Sequence, residues 1–187
     1  MLVIMSGVSG VGKNTIIRNL MKEYDDIYFF KSATTRPVRE GEDIYINLTP
    51  EEFAEYKNRG EFFETEEVHG FMYGTRNVDL KKIIENPQTI YIKDIEVHGN
   101  RRFRKFLKDK AQVLSIFLEA PDEILFDRLV KRGESEERAI LRISRSKMER
   151  KYKSDYDLII ENLDMKKTLK TIKDRLKQEG FNTKAST

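Results

Sequence analysis

The chain has 187 residues, 39% hydrophobic and 36% charged, and its 35 Lys and Arg against 32 Asp and Glu give a formal net charge of +3. That is long enough for one domain with a sizeable core and too apolar for an intrinsically disordered chain. There is no cysteine, which excludes disulfides and thiolate metal sites. The opening MLVIM is too short for a signal-peptide apolar region and no run reaches membrane-spanning length, so a cytoplasmic protein without membrane contact is the expectation.

In chain order, LVIM (2–5) has the length and β-branched content of a buried strand, and KNTIIRNLMKEY (13–24) has helical spacing. IYFF (27–30) reads as a second strand. The segment 32–80 then breaks the alternation, with turn signals in RPVREGED, a short helical pattern in PEEFAEYKNRG and the aromatic-rich EFFETEEVHGFMYGT. It is expected to form a small β-rich lobe inserted into the sheet. TIYIKDI (89–95), VLSIFLEA (113–120) and DLIIEN (157–162) supply further strands, and PDEILFDRLVKR (121–132) and SEERAILRISRSKMERKY (135–152) further helices. In 164–178, Leu169, Ile172 and Leu176 fall at i, i+3, i+7, one apolar stripe. Alternating strands and helices predict an α/β fold with a mostly parallel five-stranded sheet flanked by helices. The division expected is a core of 1–31, 81–127 and 153–180, the inserted lobe 32–80 and a helical lid 128–152.

GVSGVGKNT (7–15) sits between a strand and a helix and has the spacing G-x-x-x-x-G-K of a phosphate-cradling loop. Gly7, Gly10 and Gly12 permit a tight turn whose N–H groups converge on phosphate oxygens, with Val8, Ser9 and Val11 between them. The helix starting near Lys13 adds its positive end, and Lys13 is expected to bridge the outer phosphates of a nucleoside triphosphate. The next position ordinarily carries a hydroxyl that helps hold Mg²⁺; here it is Asn14. An amide carbonyl is a hard neutral oxygen, so a changed metal contact is expected. Thr15 cannot replace it, because neighbours on a helix point about 100° apart.

SATTRPVREGE (32–42), GEFFE with HGFMYGT, KDIEVHG (93–99) and RLVKRG with RAILRI together resemble the guanylate kinase family over about residues 2–178. The resemblance implies a P-loop kinase that transfers a phosphoryl group from ATP to GMP with Mg²⁺, using ATP and GMP as its partners, with no nucleic acid and no obligate protein partner. It implies that Arg36, Arg39, Tyr45 and Tyr73 grip the GMP phosphate, that Glu64 reads guanine with Ser32 and Thr75, and that Asp94 and Glu96 organise guanine or metal. It further implies that Arg128, Arg132 and Arg142 act with Lys13 on the transferred group from a lid, that Asn162 packs against adenine, and that Asn14 and Asp94 serve the metal. The chemistry of these residue types agrees: guanidinium forks suit phosphate, and a carboxylate accepts both N–H groups of guanine's edge.

The sequence departs from the family's pattern at Asn14, at Glu96 for Asp, at His98 for Gln, and in a loop before Tyr45 about three residues short. The stretch from Arg132 to Arg142 is also one residue shorter than usual. Two alternatives stay open: a catalytically impaired phosphopeptide-binding module of guanylate-kinase-like form, and a kinase for a different nucleotide. The basic runs RRFRKF (101–106) and RSKMERKYK (145–153) read as solvated helix faces. His69 and His98 read as structural rather than as general bases.

Overall fold

Six consecutive buried residues form β1 (Leu2–Gly7), and a strand so apolar on both faces belongs in the middle of a covered sheet. It lies there in a computed structural model that describes residues 1–38, 44–68 and 70–181. β1 pairs in parallel with β7 (Ile90–Asp94) on one side and β8 (Val113–Glu119) on the other. β2 (Ile27–Phe29) adds to β7 and β9 (Leu158–Glu161) to β8, so the order is β2–β7–β1–β8–β9 and every pair is parallel. The expected α/β sheet of five strands is thus present, with α1 (Lys13–Glu23), α5 (Asp122–Lys131), α6 (Glu136–Arg150) and α7 (Met165–Gln178) close to their anticipated bounds.

Parallel strands need crossovers, and these crossovers cover the sheet. α1 buries Ile16, Ile17 and Leu20, and α7 buries Leu169, Ile172 and Leu176, the anticipated stripe. Fully burying side chains of this size stabilises by about 2 kcal/mol each. Two further helices, α3 (Asn77–Glu85) and α4 (Val97–Leu107), were not anticipated as elements. α4 buries Val97, Phe103 and Leu107 while its arginines find acidic partners. Arg101 forms a fork with Asp155 at 2.8 and 3.0 Å, Arg102 meets Glu64 at 2.9 Å, and Arg104 meets Asp157 at 2.6 Å. The run 101–106 is therefore a set of ion pairs across the fold as well as a helix face.

The segment 32–80 builds a second sheet of order β4–β3–β6–β5, from β3 (Ser32–Thr34), β4 (Tyr45–Asn47), β5 (Phe62–Val68) and β6 (Phe71–Arg76). β3 runs parallel to β4 and antiparallel to β6, and β5 is antiparallel to β6. α2 (Pro50–Asn58) is the short helix anticipated there. Its start is a capping box: Thr49 Oγ1 accepts from Glu52 N at 3.1 Å, Thr49 N donates to Glu52 Oε2 at 2.7 Å, and Pro50 occupies the first turn. Phe53 of this helix stacks on Phe62 at 4.5 Å between ring centres and anchors it to the sheet. Among the described residues no helix is long and apolar enough to cross a membrane.

Candidate active site

The carboxyl ends of parallel strands are where α/β sheets place ligands, since the chain leaves each strand there for a helix on one face or the other. Here the ends of β1 and β7 lie side by side, tied by Ile95 N to Met5 O at 3.2 Å and Ser6 Oγ to Ile95 O at 2.6 Å. β1 delivers the loop 7–12, and β7 delivers Asp94. Gly7 must be glycine: a Cβ on it would lie 2.2 Å from Leu118 O, against the backbone of the neighbouring strand. Gly12, at φ +100°, turns the chain into α1 with its N–H groups facing the loop. Lys13 folds back over the loop, donating to Gly7 O at 2.8 Å with its Nζ 4.0 Å from Asp94 Oδ1. Burial pushes the Asp94 carboxyl up from the usual carboxylate range, and Lys13 pulls it partly back.

Across a cleft of about 410 Å³, the second sheet faces this loop. The two threonines of SATTR hold the local backbone: Thr34 Oγ1 donates to Met72 O at 2.8 Å and accepts from Arg36 N at 3.1 Å, while Thr35 Oγ1 accepts from Met72 N at 2.9 Å. Asn47 Nδ2 donates to Arg36 O at 2.7 Å. Arg36 is thereby aimed over the Tyr45 ring, 4.9 Å from its centre, and Tyr45 meets Tyr73 edge to face at 5.7 Å. An arginine and two phenols thus gather in one patch of the cleft wall. Arg39 lies outside the described residues, as does His69.

Glu64 owes its direction to an irregularity in β5. The β5–β6 register shifts between Phe62 and Glu64, so Glu64 comes opposite Thr75. Phe63, in the shifted interval, packs instead against Phe103 and Phe106 at 5.1 and 4.7 Å. Thr75 Oγ1 donates to Glu64 Oε1 at 3.3 Å and Arg102 Nη1 to Glu64 Oε2 at 2.9 Å. Burial pushes the Glu64 carboxyl up; Lys93 and Arg102 oppose this.

The lid arginines divide into two groups. Arg132 and Arg142 line the cleft, both bound to the Glu134 carboxylate, Arg142 at 2.6 Å. Arg142 Nε also donates to Ser9 Oγ at 2.7 Å, which joins the lid to the phosphate loop. Burial alone would raise the Glu134 carboxyl, but the two guanidinium bonds hold it below the usual range. Arg128 does not line the cleft. It reaches behind the loop, donating to Val11 O at 3.3 Å and Asn162 O at 2.9 Å. Asn162 is also behind the loop, 2% exposed, with Nδ2 donating to Val11 O at 2.7 Å and Oδ1 accepting from Thr168 Oγ1 at 2.8 Å. Its side-chain amide is engaged in holding the loop rather than lying open in the cleft.

Ser32, Asn14, Thr15 and Glu96 complete the cleft lining together with Val8, Ser9, Gly10, Val11 and Gly12. Lys93, Arg145 and Glu149 line it too, and sequence reasoning had not marked them. Burial and the neighbouring Glu96 push the Glu149 carboxyl up, while Lys13 and the Ser9 backbone N–H pull it down. His98 packs edge to face on Tyr152 at 4.8 Å and lies outside this lining.

A parallel sheet with a glycine-rich loop at the end of its central strand, a carboxylate on the neighbouring strand end and cleft-facing arginines on a following helical pair define an α/β P-loop kinase. The family model described as guanylate kinase matches residues 1–179, and the chain belongs to that family. Guanylate kinase of Nostoc sp. is 35% identical over 176 residues, covering 91% of this chain and 86% of the relative. Guanylate kinase of Clostridioides difficile is 34% identical over 184 residues, covering 96% and 88%. The crystal structure of guanylate kinase from Anaplasma phagocytophilum superposes with a TM-score of 0.71 at 26% identity, covering 96% of this chain and 85% of that one.

Proposed function

We propose that this protein transfers a phosphoryl group from ATP to GMP, giving ADP and GDP. The observation that carries the reading is that one cleft joins a phosphate loop to a carboxylate–hydroxyl pair, the partly buried Glu64 and the buried Thr75, suited to a purine edge. Between them Arg36, Tyr45 and Tyr73 present donors to the phosphate of the acceptor, and Arg39 belongs to the same proposed set. A GMP phosphate oxygen attacks the γ-phosphorus of ATP in line, a P–O bond forms to GMP, and the bond to the β-phosphate oxygen breaks. Lys13 and the loop N–H groups hold the β- and γ-phosphates. Arg132 and Arg142 leave Glu134 for the transferred group, and lid closure excludes water. Arg128 and Asn162 act from behind, keeping the Val11 carbonyl and hence the loop in place; a contact of Asn162 with adenine would require this amide to move. Asp94 and Glu96 lie at the β7 end, beside the loop.

The donor set fits Mg²⁺. That ion takes one or two carboxylates together with substrate phosphates rather than a full protein cage, and Asn14 and Asp94 both offer oxygen to the cleft. When bound, Mg²⁺ neutralises charge on the β- and γ-phosphates. A cytoplasmic location, where both nucleotides are available, completes the reading, and no protein partner is needed for the chemistry.

A coupled assay of ADP formation with GMP, AMP, dGMP, UMP and CMP as separate acceptors tests it. Turnover with GMP and little with AMP is expected. No turnover with any acceptor across a wide Mg²⁺ range would refute it. GMP or phosphopeptide binding in that case would instead favour a binding module, a reading that the replacement of the loop hydroxyl by Asn14 already motivates.

A further inference from the structure

Lys93 is the one fully buried lysine among the described residues, 1% exposed, in β7 next to Ile92 and Asp94. An ammonium at that depth loses its hydration, and burial pushes its pKa down to about 8 against the pull of Glu64, Asp94 and Asp79. A side chain serving only to fill space there would be apolar. The ammonium instead donates to Ser32 Oγ at 2.7 Å and lies 4.6 Å from the centre of the Phe30 ring and 5.9 Å from that of Phe103. Lys93, Ser32 and Glu64 all border the same cleft, and the Lys93 charge, with that of Arg102, opposes the rise that burial gives the Glu64 carboxyl.

A hydroxyl has one O–H and two lone pairs, and an ammonium cannot accept. With a lone pair of Ser32 Oγ taken by Lys93, the Ser32 O–H is left to act as donor, and its oxygen is polarised by a full positive charge. The corner of the cleft therefore sets donors beside the Glu64 acceptor. Guanine's edge is the complement: N1–H and N2–H donors next to the O6 acceptor. Adenine reverses it, with an amino donor in place of O6. We propose that Lys93 is a positioning residue for acceptor specificity: through Ser32 it fixes a hydrogen-bond donor for the 6-oxo group of the base whose N–H groups Glu64 accepts. The proposal rests on the assignment of GMP to this cleft.

Equilibrium binding of GMP and of 2-aminopurine riboside 5′-monophosphate, which lacks O6 and with it the N1–H but keeps the N2–H donors to Glu64, separates a positioning role for Lys93 from a merely structural one. The probes are titrated into the wild type, Lys93→Met and Lys93→Gln. Lys93→Met is expected to weaken GMP binding about tenfold or more, the size of a lost charge-assisted hydrogen bond, and the 2-aminopurine nucleotide less than about twofold. Lys93→Gln keeps an N–H donor without charge and should recover part of the GMP affinity. Equal weakening of both nucleotides marks a merely structural role and overturns the proposal, as does unchanged GMP binding. Should Lys93→Met fail to fold, Lys93→Gln decides: a GMP-to-aminopurine affinity ratio equal to that of the wild type overturns the proposal. Absence of GMP binding by the wild type would instead overturn the assignment of GMP itself.

Discussion

Asn162→Ala probes how the phosphate loop is held. The residue joins three elements: its N donates to Glu119 O on β8 at 2.8 Å, its Nδ2 to Val11 O in the loop at 2.7 Å, and its Oδ1 accepts from Thr168 on α7 at 2.8 Å. Alanine keeps the backbone bond and removes the other two. Thr168, 1% exposed, is left with a hydroxyl that has lost its acceptor, while the Val11 carbonyl keeps the longer bond from Arg128 at 3.3 Å. A buried polar group left without its partner costs about 1–3 kcal/mol. With Val11 only half deprived, the sum is about 2–4 kcal/mol. Urea denaturation should show that loss, and steady-state kinetics should show KM for ATP raised about tenfold, a change of roughly 1.4 kcal/mol, with KM for GMP little changed. A stability loss under about 0.5 kcal/mol, within the range of an ordinary surface substitution, together with an unaltered KM for ATP, would refute the view that Asn162 anchors the loop.

Three further outcomes are expected. Gly7→Ala sets a methyl 2.2 Å from Leu118 O inside the central strand pairing, so it should abolish folding or cost more than about 4 kcal/mol, whereas Gly60→Ala, with open space around it at φ +68°, should cost far less in the same denaturation assay. Asn14→Ser restores a hydroxyl at the metal contact and should lower the Mg²⁺ concentration for half-maximal turnover; an unchanged Mg²⁺ titration would show that Asn14 does not touch metal handling. Burial alone would raise the Asp157 carboxyl, but Arg104 at 2.6 Å and the Ser115 N–H and O–H at 2.8 Å each hold it below the usual range. A depressed folded-state pKa stabilises above the unfolded value of roughly 4 and is lost as pH falls through the folded one. Denaturation midpoints of the wild type should therefore fall more steeply below about pH 4 than those of Asp157→Asn, and parallel curves would contradict this.

Much of this protein was legible along the chain. β1 is a continuous apolar run because it is buried on both faces, and the loop after it is written in consecutive residues, since glycines at fixed spacing and a lysine at the helix start act on one another locally. The capping box of α2 and the stripe of α7 are likewise contained within one element. α4 was hidden because its few buried positions stand among arginines, and those arginines are explained only by Asp155, Asp157 and Glu64, each at least 38 positions away.

The site divides in the same way. Residue types and order marked Ser32, Arg36, Glu64 and Asp94, but their directions came from long-range contacts: the register shift that turns Glu64 toward Thr75, and the threonine bonds to Met72 that aim Arg36. Arg128 and Arg132 share helical spacing in the sequence, yet one grips the back of the loop and the other faces the cleft. Lys93 gave no signal at all, for alternation along a strand says which residues share a face and nothing of what covers that face. Phe30, Phe103 and Ser32 cover it, and only the packed structure brings them to one ammonium.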